Sequence, residues 1–124
     1  MCGIVGLFLK DKSLEPKLGA MLTDMLITMT DRGPDSAGIA IYSKESKNIG
    51  KLTVQSDTPD VDFNQLKDAL KQLIKGDIDI RVQSTHAVLE MRTDQVESAR
   101  AVLKEIRPNV RVMSSGGSLE IYKE

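Results

Sequence analysis

Apolar and polar positions divide the chain into short segments of two periods. Cys2 to Leu9 reads CGIVGLFL, a short continuous apolar run with β-branched residues, which predicts a buried strand. Gly3 and Gly6 within it suggest close backbone packing or the close approach of a ligand. Lys10 to Lys12 break the run. Leu18, Met21, Leu22, Met25, Leu26 and Met29 then recur at spacings of three and four. That spacing predicts a helix with one apolar face, capped by Ser13, with Pro16 in its first turn and its end near Thr30.

A charged turn, Asp31-Arg32-Gly33-Pro34-Asp35-Ser36-Ala37-Gly38, separates this helix from two predicted strands, Gly38 to Tyr42 and Ile49 to Gln55. The polar stretch Ser43 to Asn48 predicts that the two strands pair as a hairpin. After the loop Ser56 to Pro59, Asp60 or Asp62 can cap a helix carrying Phe63, Leu66, Leu70, Leu73 and Ile74, which Gly76 would stop. Ile78 to Met91 holds one or two strands, with Ser84-Thr85 as the break. Thr93 or Asp94 can cap a further helix with Val96, Ala99, Leu103 and Ile106 inward, ended by Pro108 and Asn109. Val110 to Met113 and Leu119 to Tyr122 predict a closing hairpin across Ser114 to Ser118. No repeat or low-complexity tract interrupts the pattern. The expected fold class is α/β (α+β layered), with strands and helices intermixed. Glu120 to Glu124 stop in strand-like sequence, which fits either a whole domain or part of a larger one.

Composition narrows the function. At 124 residues there is room for one domain or a piece of one. Seventeen basic against 18 acidic residues leave a net charge of −1, which argues against a basic nucleic-acid binder. Aromatics make up 3%, too few for a base-stacking platform. No apolar run approaches the roughly 20 residues of a membrane span. With a single Cys, no intrachain disulfide and no multi-thiolate zinc site can form. The scattered Asp and Glu show no metal-site spacing, so neither metal nor cofactor is expected. The lone thiol and the lack of a secretory pattern make a cytoplasmic address the expectation.

Two features carry candidate chemistry. Removal of Met1 would leave Cys2 with a nucleophilic thiol and its own α-amine, whose reference pKa near ~8 lets it accept a proton close to neutrality. One residue would then supply both nucleophile and base. The alternative is a small packed residue in a strand. In the turn, Gly33 permits unusual dihedrals and Pro34 restrains the bend, so Arg32 could be held at a fixed place near a strand end. The alternative is a surface ion pair between Arg32 and Asp35. Met21, Met25 and Met29 read as core filler, His86 as a strand residue, and Arg92 as solvated.

Together, MCGI at the start and RGPDSAG one helix later resemble the opening of class II glutamine amidotransferases, which are N-terminal-nucleophile hydrolases. Within them the chain is most similar to the glutamate-synthase-like branch, in particular the amidotransferase-type subunit associated with N-methylglutamate synthase. MCGIVGLFLK, DRGPDSAG and the RVMSS and EIYKE stretches carry the likeness. The resemblance implies an αββα fold of the N-terminal-nucleophile type, of which residues 1–124 would be the N-terminal part. It implies Cys2 as the nucleophile toward the carboxamide of glutamine, with ammonia passed to a synthase subunit or domain. Arg32 and Gly33 match the family's Arg-Gly pair, which supports the nucleophile's pocket, and Asp35 and Ser36 would assist.

The family's Asn-Gly oxyanion pair and its His-Thr-Arg-like segment have no counterparts here: Asn48 is followed by Ile49, Asn109 by Val110, and Thr85-His86-Ala87 departs from the pattern. The expectation is therefore a glutaminase component whose isolated chain is inactive. The alternative is a catalytically incomplete structural or regulatory subunit. Half a layered domain would expose an apolar sheet face, so a homo-oligomer is a further expectation.

Overall fold

The computed structural model describes residues 2–123 and divides into two compact units. The retention of Met1, on which the amine of Cys2 depends, and the last residue of the strand-like ending, Glu124, lie outside the described residues.

The first unit runs through Ala37. Cys2 to Leu9 is not the expected strand: it joins no sheet. Val5, Leu7 and Leu9 are half-buried, while Ile4 is 94% and Phe8 85% exposed. The run is apolar without being enclosed, so continuous hydrophobicity was not evidence of ladder pairing. A 3₁₀ turn, Lys12–Lys17, leads into helix α1, Leu18–Ile27. The turn is capped by Asp11 rather than Ser13: the Asp11 carboxylate accepts from the Ser13 backbone N–H at 2.9 Å. The face predicted for α1 is present, since Leu18, Met21, Leu22, Met25 and Leu26 are its half-covered positions. Among the described residues of this unit none is fully buried. A second 3₁₀ turn, Thr30–Arg32, closes the helix end, with the Arg32 N–H donating to Met29 O at 3.0 Å.

The second unit spans Gly38–Lys123. Its elements are β1 (Gly38–Tyr42), β2 (Ile49–Gln55), α2 (Pro59–Asp62), α3 (Leu66–Ile74), β3 (Asp79–Gln83), β4 (His86–Arg92), α4 (Val96–Ile106), β5 (Arg111–Gly116) and β6 (Leu119–Lys123). Every ladder among the described residues is antiparallel. The four-stranded sheet has the order β3-β4-β2-β5. Thus β2 and β3 run parallel with β4 between them, and β4 and β5 run parallel with β2 between them. This is a split β-α-β-β-α-β arrangement, with α3 and α4 as the crossovers. The mixture of helices and antiparallel strands agrees with the layered pattern read from the sequence.

Two expected hairpins are corrected. β1 pairs with β6, not with β2, and β5 pairs with β2, not with β6. Period-2 alternation identifies a strand but does not name its partner.

One sheet face and the two helices make the core. Register places Leu52 opposite Leu89 and Val54 opposite Ala87. These pack with Leu66, Leu70, Ile78, Ala99 and Leu103, all at most 1% exposed. Gly50 is required by a close approach: a Cβ there would meet Thr93 Cα at 3.4 Å and collide with the Val96 side chain at the start of α4. Leu73, assigned inward by spacing, is 57% exposed. The end of α3 is a left-handed Lys75 at φ 55°, one residue before the expected Gly76 stop, which instead leaves room for the Gln95 side chain. Ile78→Val removes one methylene from this close-packed region and is expected to cost about 0.5–1.5 kcal/mol, read as a lowered urea midpoint with unchanged slope.

Candidate active site

Cys2 is exposed, and its thiol has no hydrogen-bond partner among the described residues. The next residue fixes its surroundings. A Cβ on Gly3 would lie 3.7 Å from Arg32 Cβ and would collide with the Met29 methyl group. The absence of a side chain at Gly3 therefore lets the N-terminal segment run against the end of α1, where the 3₁₀ turn presents Arg32. The sequence pair MCGI and RGPDS is thereby brought to one place within the first unit.

The rest of the turn is less engaged. Arg32, Gly33, Asp35 and Ser36 are all exposed. The Arg32–Asp35 ion pair, the alternative reading of this turn, is not formed, and no side-chain bond of Asp35 or Ser36 reaches another described residue. Gly33 sits at φ −161°, extended backbone that any residue adopts, so the turn does not exploit glycine's left-handed freedom. The structure thus packs Gly3 against Arg32 and gives Asp35 and Ser36 no side-chain bond to another described residue. A thiol in this setting can attack an electrophilic carbonyl once a base accepts its proton.

His86 has both ring nitrogens engaged within the second unit. It lies buried in β4, with Nδ1 3.0 Å from Thr85 Oγ1 and Nε2 accepting the Lys123 N–H at 3.1 Å. Arg92 is paired with Asp94 at the exposed end of β4. Among the described residues no three His, Cys, Asp or Glu gather as a metal site, and no helix is long and apolar enough to cross a membrane.

A second polar cluster was not legible from spacing. Glu120 on β6 accepts from Lys51 Nζ on β2 at 2.8 Å, from Arg81 on β3 at 3.0 Å to each oxygen, and from the Tyr122 hydroxyl at 2.7 Å. Lys51 is also 3.6 Å from Glu90, and the His86 ring lies 5.4 Å from that of Tyr122. Burial favours the protonated acid, but the hydrogen bonds from Lys51, Tyr122 and Arg81 outweigh it and hold the Glu120 carboxyl below its usual range. Burial, reinforced by the bond to Glu120, pushes the Tyr122 phenol up to about 12.

The signs follow. The raised Tyr122 contributes stability that is complete below pH ~10 and is lost as pH rises toward its folded value. The depressed Glu120 contributes above pH ~4.3, and that contribution is lost as pH falls through its folded value. Phenolate absorbance is expected to show one tyrosine ionising near pH 12, and Glu120→Gln should bring it down. An unchanged titration in that variant would dissociate Tyr122 from Glu120.

The chain is 54% identical, over 126 aligned residues covering 100% of it, to the glutamine amidotransferase-like protein GlxB of Rhizobium meliloti (strain 1021). A putative glutamine amidotransferase of Methanothermobacter thermautotrophicus is 55% identical over 42 residues, 34% of this chain and 13% of that protein. Both relatives carry the glutamine amidotransferase name. The chain spans 41% of the length of the first relative. No protein-family model matches the chain. No solved structure matches it.

Proposed function

We propose that this chain is the nucleophile-bearing, N-terminal part of a class II glutamine amidotransferase domain. The observation that carries the reading is the seat of Gly3 against Arg32 in a chain whose whole length is similar to a glutamine amidotransferase-like protein. In this reading Met1 is removed and the α-amine of Cys2 takes the thiol proton. The thiolate attacks the carboxamide carbon of glutamine, the C–N bond breaks, and ammonia leaves with the transferred proton. Water then hydrolyses the thioester to glutamate and restores the thiol. Arg32 supports the pocket beside the nucleophile, and Asp35 and Ser36 assist. The ammonia passes to a synthase subunit or domain. The N-terminal-nucleophile fold belongs to the larger domain that this part would complete, in a cytoplasmic enzyme needing no metal or cofactor.

A second reading, a structural or regulatory subunit without catalysis, draws on one observation: no described residue of the first unit is fully buried, so that unit does not by itself enclose a pocket. A glutamine-mimicking electrophile decides between them. Mass-spectrometric mapping is expected to place the adduct on Cys2 in preference to any amine, with protection by glutamine. Absence of a glutamine-protected adduct, in the presence of the synthase partner, favours the subunit reading.

A further inference from the structure

The pairing of β1 with β6 has the form of a hairpin whose loop is most of the second unit. Tyr42 stands opposite Leu119, and the next residues close the pair, with the Ser43 N–H donating to Ser118 O at 2.9 Å. The chain therefore leaves β1 and returns to β6 at neighbouring points. Everything between them is the split β-α-β-β-α-β arrangement. Loop tips accept inserted domains when the domain's own ends lie close together. The core agrees with that division: the buried apolar cluster draws on residues from Leu52 to Val110, and on none from β1 or β6.

What ties β6 to the arrangement is of another kind. Successive residues of a strand face opposite ways, so Lys51 and Arg81 project from the sheet face away from the helices. Both meet Glu120 there. The Lys123 N–H donates to His86 Nε2 at 3.1 Å, and the Ile121 N–H donates to Ser114 Oγ at 3.1 Å. The same face also covers Val88 and Thr53, both 0% exposed. The contacts named are otherwise polar, and water replaces them at small net cost when they open, whereas exposing the leucine core has no such substitute.

We infer that residues 49–116 are an inserted module that folds by itself, and that β6 is a strap latched across the sheet face away from its helices by Glu120 and His86. Opening the latch frees hairpin β1–β6 while the module stays folded. β1 follows Ala37 directly in sequence, so the latch controls the order of the strand that leads out of the Arg32 to Ser36 turn. This device stands independently of the glutaminase reading.

Backbone amide hydrogen exchange on the full chain tests it, since exchange separates local from global opening. In Glu120→Ala, exchange in β1 and β6 is expected to quicken at least tenfold, while the amides of Leu52 and Leu89 stay within twofold of the unmodified chain. Arg81→Gln, at a side chain 52% exposed, gives a milder variant that should quicken the same strands about threefold. His86→Leu should act like Glu120→Ala on β6. Equal quickening of strap and core, failure of Arg81→Gln to fold, or unchanged exchange in β1 and β6 would each overturn the inference.

Discussion

Cys2→Ser is expected to abolish capture of a glutamine-mimicking electrophile and, in the presence of the partner that completes the site, to abolish glutamine hydrolysis. The substitution keeps size and shape but replaces a thiol of reference pKa ~8.5 with a hydroxyl that an amine base can scarcely deprotonate. Cys2 is exposed and bonded to nothing described, so the change disturbs no packing and its effect on activity reads chemistry alone. Arg32→Ala is the companion. It removes the side chain of the residue packed by Gly3 but leaves the thiol, so it should slow capture without eliminating it. Retained hydrolysis in Cys2→Ser, with the N-terminus verified by mass spectrometry, would remove Cys2 from the mechanism.

The sequence revealed much of the second unit because its elements are locally encoded. β1 and β2 occupy the predicted residues, and α4 carries Val96, Ala99 and Leu103 inward at the expected spacing. Partner choice was hidden, because Ser43 to Asn48 looks like a hairpin loop whichever strand β1 joins. That choice depends on burial of both faces of β2, which only the assembled sheet displays. The Glu120 cluster was hidden for the same reason: Lys51, Arg81 and Glu120 lie far apart in sequence and meet only through strand order. In the first unit the helix face was legible, but Cys2 to Leu9 was misread as a strand. The candidate residues rest on MCGI and RGPDSAG read together, and the structure adds that Gly3 packs against Met29 and Arg32. The roles of Asp35 and Ser36 came from resemblance, and their exposed positions add no contact to support them.

Purified alone, these 124 residues are expected to release glutamate from glutamine poorly or not at all. Chemistry at an amide carbon builds negative charge on oxygen, and that charge needs preorganised donors. Loss of one such donor typically costs ~10²–10³ in rate. The sequence holds no Asn-Gly pair to provide it, and Arg32 is the one arginine among residues 1–37. A carboxylate clamp is also needed to hold the substrate's end, because a nucleophile without positioning forfeits the gain of an intramolecular reaction. The His-Thr-Arg-like segment that would carry it is absent, and the nearest sequence, around His86, is occupied in fastening β6. These deficits act on one transition state, so their costs need not add, yet either alone is large. The assay is glutamate release by the chain with Met1 removed, compared with the same chain supplied with the polypeptide that corresponds to the rest of its longer relative. Turnover should rise at least ~10²-fold on supplementation, following the donor cost above. Robust turnover without it, lost in Cys2→Ser, would mean that residues of this chain or a second copy complete the oxyanion site.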